Sequence, residues 1–187
     1  LLTAAAGGAV STALSAPFIR RASAAGRNSL IYGSAQALTG NWDPASHTQL
    51  AQINLENFVF GFLFRTPMRP EDPSQVVWEL ATGQKLVDEY TMEYTLRDGV
   101  TFHNGAPFSA EDVKATFEYS THPSRPASAI YPGQCEVEVV DRLTARLHTK
   151  KFGYPASSFQ FTGALMRIVS KDDVKDPKVL SQRPNGT

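Results

Sequence analysis

Residues Tyr90–Tyr119 read YTMEYTLRDGVTFHNGAPFSAEDVKATFEY, and this stretch decides the fold. Tyr90, Met92, Tyr94 and Leu96 alternate with Thr91, Glu93, Thr95 and Arg97, and a period of two is that of a half-buried strand. Asp98-Gly99 then makes a turn, because glycine takes a positive φ without steric cost. Val100 and Phe102 resume the apolar face, and Asn104-Gly105 turns the chain again. Ser109-Ala110-Glu111-Asp112 opens a helix in the manner of a capping box. The Ser109 hydroxyl can accept from an unpaired backbone N–H, and the acids stand at the positive end of the helix dipole. Val113 and Phe117, at i and i+4, give that helix an inner face.

Downstream, Pro123 ends the winding, and His122 before it is driven out of the α region. Residues 123–132 are expected to be loop. Cys135, Val137 and Val139 alternate with Glu136 and Glu138; Asp141-Arg142 turns; Leu143, Ala145 and Leu147 alternate with Thr144, Arg146 and His148. This is a hairpin with one apolar and one wet face. Residues 152–169 are aromatic and fit neither period. Upstream, Gly83 breaks the chain before a strand expected to begin near Lys85. Val76–Ala81 should be extended, and the proline-rich stretch 66–73 reads as loop. Leu50, Ile53 and Asn57 share helical spacing, so a helix is expected from Gln49 to about Asn57. The run from Phe58 to Phe64 reads as buried core in preference to a ligand-stacking wall.

The chain has 187 residues, with eighteen basic and eighteen acidic groups, 42% hydrophobic residues and one cysteine. A packed core is within reach. The first acidic residue is Asp43, and Leu1–Ala16 is a run of small and apolar residues followed by Arg20-Arg21 and Ala22-Ser23-Ala24. That pattern reads as an export signal over residues 1–24 with an A-x-A cleavage site. Its modest hydrophobicity fits the twin-arginine route, with the Sec route as the rival. Removing it leaves sixteen basic groups against eighteen acidic, a net charge of −2. Such a balance gives no electrostatic footprint for nucleic acid or an anionic membrane. A lone Cys135 excludes an internal disulfide and reads as a buried, inert thiol.

The wording of Leu96–Gly105 (LRDGVTFHNG), followed by Pro107–Val113 (PFSAEDV), resembles the signature of the family 5 extracellular solute-binding proteins, the receptors of bacterial ABC importers for peptides, nickel and oligosaccharides. Asn41-Trp42-Asp43-Pro44 is similar to the family's leucine-aspartate-proline element, with Trp42 in the leucine place. Val59-Phe60-Gly61-Phe62-Leu63 stands where the family has tyrosine-glutamate-glycine-leucine. Val169-Ser170-Lys171-Asp172 resembles its isoleucine-valine-proline-lysine strand end, and Arg183–Thr187 the start of its glycine-threonine-glycine-proline-tyrosine stretch.

The resemblance implies an α/β fold of the periplasmic-binding-protein type II, two-lobed in the whole protein. Residues 25–187 would then be the N-terminal part of lobe one: its first strand at Ser29–Gly33 and its small subdomain. It further implies a monomeric periplasmic receptor that captures a small solute, foremost a di- or oligopeptide, and delivers it to an inner-membrane permease. The end of the first strand would face the ligand cleft, as ligands of open sheets bind beyond strand carboxyl ends. That places Gln36, Leu38 and Trp42 as ligand-binding candidates.

No catalytic or metal site is legible. His47, His103, His122 and His148 have no ligand spacing, and neither G-x-S-x-G nor a P-loop occurs. His103 is expected to be a satisfied structural histidine, and Asp172-Asp173 a solvated loop face. Nothing brings two of Glu79, Asp88, Glu89 and Glu93 together for glycoside chemistry. No cofactor is implied. An exported enzyme and a non-transport receptor on a similar fold are the alternatives.

Overall fold

The computed structural model describes residues 33, 34, 36–67 and 75–187. The export signal over 1–24, most of the strand expected at Ser29–Gly33 and most of the loop at 66–73 lie outside the described residues. Residues 34–187 form one unit. In chain order its elements are α1 (Leu50–Glu56), β1 (Phe64–Arg65), β2 (Val77–Trp78), β3 (Ala81–Asp88), β4 (Thr91–Leu96), α2 (Ala110–Thr121), β5 (Glu136–Asp141), β6 (Thr144–His148) and α3 (Pro177–Gln182), with short 3₁₀ turns between them.

Four strands form an antiparallel sheet in the order β3-β4-β6-β5, and β1 pairs with β2 in a two-stranded ribbon. The alternation in the opening stretch is realised directly. Met92, Tyr94 and Leu96 are buried on β4, whereas Thr95 is exposed. The partner hairpin buries Val137, Ala145 and Leu147 on the same side, with Tyr94 opposite Ala145 and Met92 opposite Leu147. Upon that face lies α2, through Val113 and the fully buried Phe117, whose ring stands 6.1 Å from that of Tyr94. Burial of side chains of this size supplies about 1.5–3 kcal/mol each relative to exposure.

Gly99 and Gly105 have φ of 75° and 84°, the left-handed region that the two turns require. On either side of the second turn, Thr101 and Pro107 form only an isolated bridge, shorter than the strand expected there. At the start of α2, the Ser109 N–H and hydroxyl both donate to Asp112 Oδ2, at 2.9 and 3.0 Å. Asp112 Oδ1 accepts from the Lys171 N–H at 2.9 Å. The carboxylate is therefore buried but fully engaged, and it joins the helix start to a segment far along the chain. His122 ends the helix in extended conformation (ψ 132°) ahead of Pro123, as the proline demands.

Several expectations are corrected. Strand β3 begins at Ala81, not near Lys85, and it runs through Gly83 with a shift of register there. As an edge strand it tolerates the irregularity, since only one side must pair. Residues 123–132 contain a 3₁₀ turn, Pro126–Ile130, whose Ala127 N–H donates to Ala45 O. Helix α1 forms where expected, but its buried residues are Ala51, Gln52 and Glu56, and Leu50 is 66% exposed. An acid and an amide are thus buried on this helix, and their partners are described below. Val169–Asp172 is no strand: Thr116 Oγ1 and Asp112 capture its backbone N–H groups in place of a ladder.

Truncating the aromatic under the sheet tests this packing. Phe117→Ala should lower stability by about 3–5 kcal/mol, read from urea unfolding monitored by circular dichroism.

Candidate functional site

The stretch from Gln36 to His47 holds the residues expected at the cleft. Gln36 is exposed, its backbone engaged locally by Ser34 Oγ. Leu38 is 42% exposed. Trp42 behaves differently: it is half-buried against Phe60, Val169 and Leu180, and its N–H donates to Ser181 O at 2.9 Å. Asn41-Trp42-Asp43-Pro44 forms a nested turn, with Asn41 Oδ1 accepting from the Asp43 N–H and Asp43 Oδ1 accepting from the Ala45 N–H, both at 2.9 Å. Asp43 Oδ2 accepts from the Tyr119 hydroxyl at 2.7 Å, which fixes the turn to α2. Burial first, and the Asp43 carboxylate second, push the Tyr119 phenol upward.

Behind this turn lies a charge network that sequence reasoning missed. Glu56 of α1 is fully buried and divides its oxygens between two partners. Oε1 meets His47 Nε2 at 2.7 Å, and Oε2 stands 3.0 Å from Arg167 Nε, close for an ion pair though off hydrogen-bond alignment. Arg167 is only 2% exposed, and its Nη2 donates to Pro44 O at 3.1 Å. Nearby, Gln52 Oε1 accepts from the Thr39 N–H at 3.2 Å. The network thus ties the N-terminal turn, α1 and the 166–169 segment together. One signal could have exposed it: an arginine inside the apolar run Leu165–Val169 has to find a buried acid.

Two cavities flank these elements. One, of about 170 Å³, lies beside α1 and is lined by Ile53, Asn57, Phe62, Arg65, Leu165 and Arg167. The other, of about 340 Å³, opens by the signature turn, where His103, Asn104, Asp173, Arg183 and Asn185 contribute. There the His103 N–H donates to Gly186 O at 2.8 Å, the Asn104 N–H to Asn185 Oδ1 at 3.1 Å, and Asn185 Nδ2 to Asp173 Oδ2 at 2.8 Å. The expectation for His103 is corrected. Its backbone is held, but the imidazole is exposed and makes no hydrogen bond among the described residues. Its turn projects it outward, so the burial that would demand a partner never arises. Asp172 is exposed as expected and pairs with Lys175, whereas Asp173 is tied to Asn185.

Among the described residues, no cluster of three metal-ligating side chains occurs. Glu79 is paired with Arg65 and Glu93 with Arg146, so these two of the four acids considered for glycoside chemistry face cations, not each other. Cys135 is buried, and burial pushes its thiol up to about 12.

Residues 75–187 match the model of the bacterial extracellular solute-binding proteins, family 5 middle region. The chain belongs to this family. No curated protein matches it. Among solved structures, NikZ from Campylobacter jejuni in complex with Ni(L-His) aligns with a TM-score of 0.63 at 21% identity, over 79% of this chain and 29% of its own. The dipeptide binding protein from Pseudoalteromonas sp. SM9913 in complex with Met-Leu aligns at 0.62 and 22%, over 79% and 34%. HbpA2 from Haemophilus parasuis aligns at 0.63 and 22%, over 82% and 34%. The fold is therefore that of the periplasmic solute-binding proteins, and the chain spans about a third of the length of these structures.

Two measurements probe the buried groups. Glu56→Ala leaves Arg167 uncompensated in the interior and should cost about 3–5 kcal/mol, while a double change to Glu56→Leu with Arg167→Met should recover most of that loss in urea unfolding. The Cys135 thiol is raised in the folded state from an ordinary value of 9.0, so folding favours its neutral form. Its contribution should be complete below about pH 9 and decline as pH rises toward 12. Native protein should accordingly resist thiol-reactive reagents at pH 8 until it is unfolded.

Proposed function

We propose that this chain is part of the substrate-binding component of an ABC importer, exported to the periplasm, that captures a small solute and hands it to a membrane permease. The observation that carries the reading is membership of the family over residues 75–187, together with a fold shared with binding proteins. The reading gives the receptor no covalent chemistry of its own. A di- or oligopeptide is the favoured cargo. Two neighbours on this fold support that choice, the dipeptide binding protein holding Met-Leu and the oligopeptide-binding protein AppA from Bacillus subtilis holding a nonapeptide.

In this reading residues 25–187 build the first part of lobe one, behind a leader over residues 1–24 that uses the twin-arginine route. Gln36 and Leu38 are then free to face a ligand, being exposed, and Trp42 supports them from the core beneath. A second lobe closes over the ligand by hinge motion. The receptor works as a monomer, meeting its permease in the closed form.

Thermal-shift measurements on the full-length protein against dipeptides, oligopeptides, nickel chelates and oligosaccharides test this. Ligand at a hundredfold excess over its dissociation constant stabilises the folded state by about 2.7 kcal/mol, enough to raise the midpoint by several degrees. A shift with peptides, with the peptide recovered intact, is the expected result. Consumption of the compound, or no shift with any class, would overturn it.

A further inference from the structure

The cavity of about 170 Å³ beside α1 ends on a guanidinium that is not fully used. Arg167 points Nε at Glu56 and gives Nη2 to Pro44 O. Its remaining nitrogen, Nη1, makes no hydrogen bond among the described residues, although the side chain is 98% buried by its 2% exposure. Asn57 borders the same cavity, and its Oδ1 is buried without a partner. Buried polar groups are normally satisfied, so the unpartnered Asn57 Oδ1, beside a guanidinium with a nitrogen to spare, marks a place for a missing partner. Turning the Asn57 amide about its last bond presents Nδ2 as a donor beside the arginine.

The opposite wall is apolar, formed by Ile53, Phe62 and the half-exposed Leu165. At the rim Arg65 lies over the Phe62 ring at 4.3 Å and pairs with Glu79 at 2.8 Å. At roughly 30 Å³ per water-sized group, the volume holds about six heavy atoms. A planar guanidinium fork beside an amide donor matches a carboxylate, and the apolar wall matches a short aliphatic stem.

We propose that this cavity is a carboxylate subsite, receiving a short branched aliphatic group that ends in a carboxylate. A free short-chain acid and the C-terminal residue of a peptide present the same chemistry. The second source rests on the receptor reading above; the subsite itself does not. Glu56 is a positioning residue here, holding the Arg167 fork toward the cavity.

The test is calorimetric titration of the full-length protein with 2-methylpropanoate, 2-methylpropanamide, Ala-Leu and Ala-Leu amide. Each is repeated on Arg167→Gln and on Ile53→Trp, which fills the cavity from its half-buried rim. The acid should bind at least tenfold more tightly than its amide, and both variants should lose that binding. Should Arg167→Gln fail to fold, Ile53→Trp carries the result. Parallel loss of Ala-Leu binding identifies the occupant as a peptide terminus; retained Ala-Leu binding with loss of the acid identifies a free acid. Equal binding of acid and amide, no binding of either, or an unchanged Ile53→Trp overturns the subsite. Peptide binding that survives such a result leaves the receptor reading standing.

Discussion

The seating of α2 on the buried face of β4 and β6 is the contact on which the rest of this unit depends. Phe117 and Val113 meet Tyr94, Met92 and Leu147 there, and Phe159, whose carbonyl accepts from the Tyr94 hydroxyl, joins the same core. Burial of apolar surface is the dominant favourable term in folding, and it is non-directional. Direction comes from the polar groups around it. Asp112 binds the start of α2 and the Lys171 backbone at once, Thr116 reaches Val169, and Tyr119 reaches Asp43. One helix thereby sets the positions of the N-terminal turn and of the segment after residue 166.

The network of His47, Glu56 and Arg167 acts on the other side of the same two segments. Buried ion pairs add little net stability, because desolvation of both charges offsets their attraction. Their geometric demand is greater, since a misplaced partner leaves a charge stranded in the interior. The network therefore fixes where the turn at Asp43–His47 lies against α1 more than it strengthens the unit. A side effect of that fixing is a buried arginine that borders a cavity. Structure and candidate chemistry meet at this residue.

Much of the fold was legible. The alternation of Met92, Tyr94 and Leu96, the hairpin from Val137 to Leu147, the turns at Gly99 and Gly105 and the helix opening at Ser109 are all local. Each depends on periodicity or on one residue's backbone freedom. The family signature fell in this same local stretch, which is why membership could be read from it. Failures came where partners lie far apart. Leu50 and Ile53 set the helical spacing of α1, but that spacing did not reveal that Gln52 and Glu56 are buried, where Thr39, His47 and Arg167 await them. Val169–Asp172 had the look of a strand end, yet side chains of α2 take its N–H groups.

The sequence by itself determined the alternating strands, the capped helix, the inert cysteine and the family. These follow from forces acting within a few residues, or from wording that a local stretch preserves. Only the tertiary structure decided which polar groups are buried, which histidine stands idle and where cavities open. Glu56 and Arg167 are more than a hundred residues apart in the chain and 3.0 Å apart in space. No period or propensity encodes such a meeting, because it is fixed only when the packed core brings the two segments together.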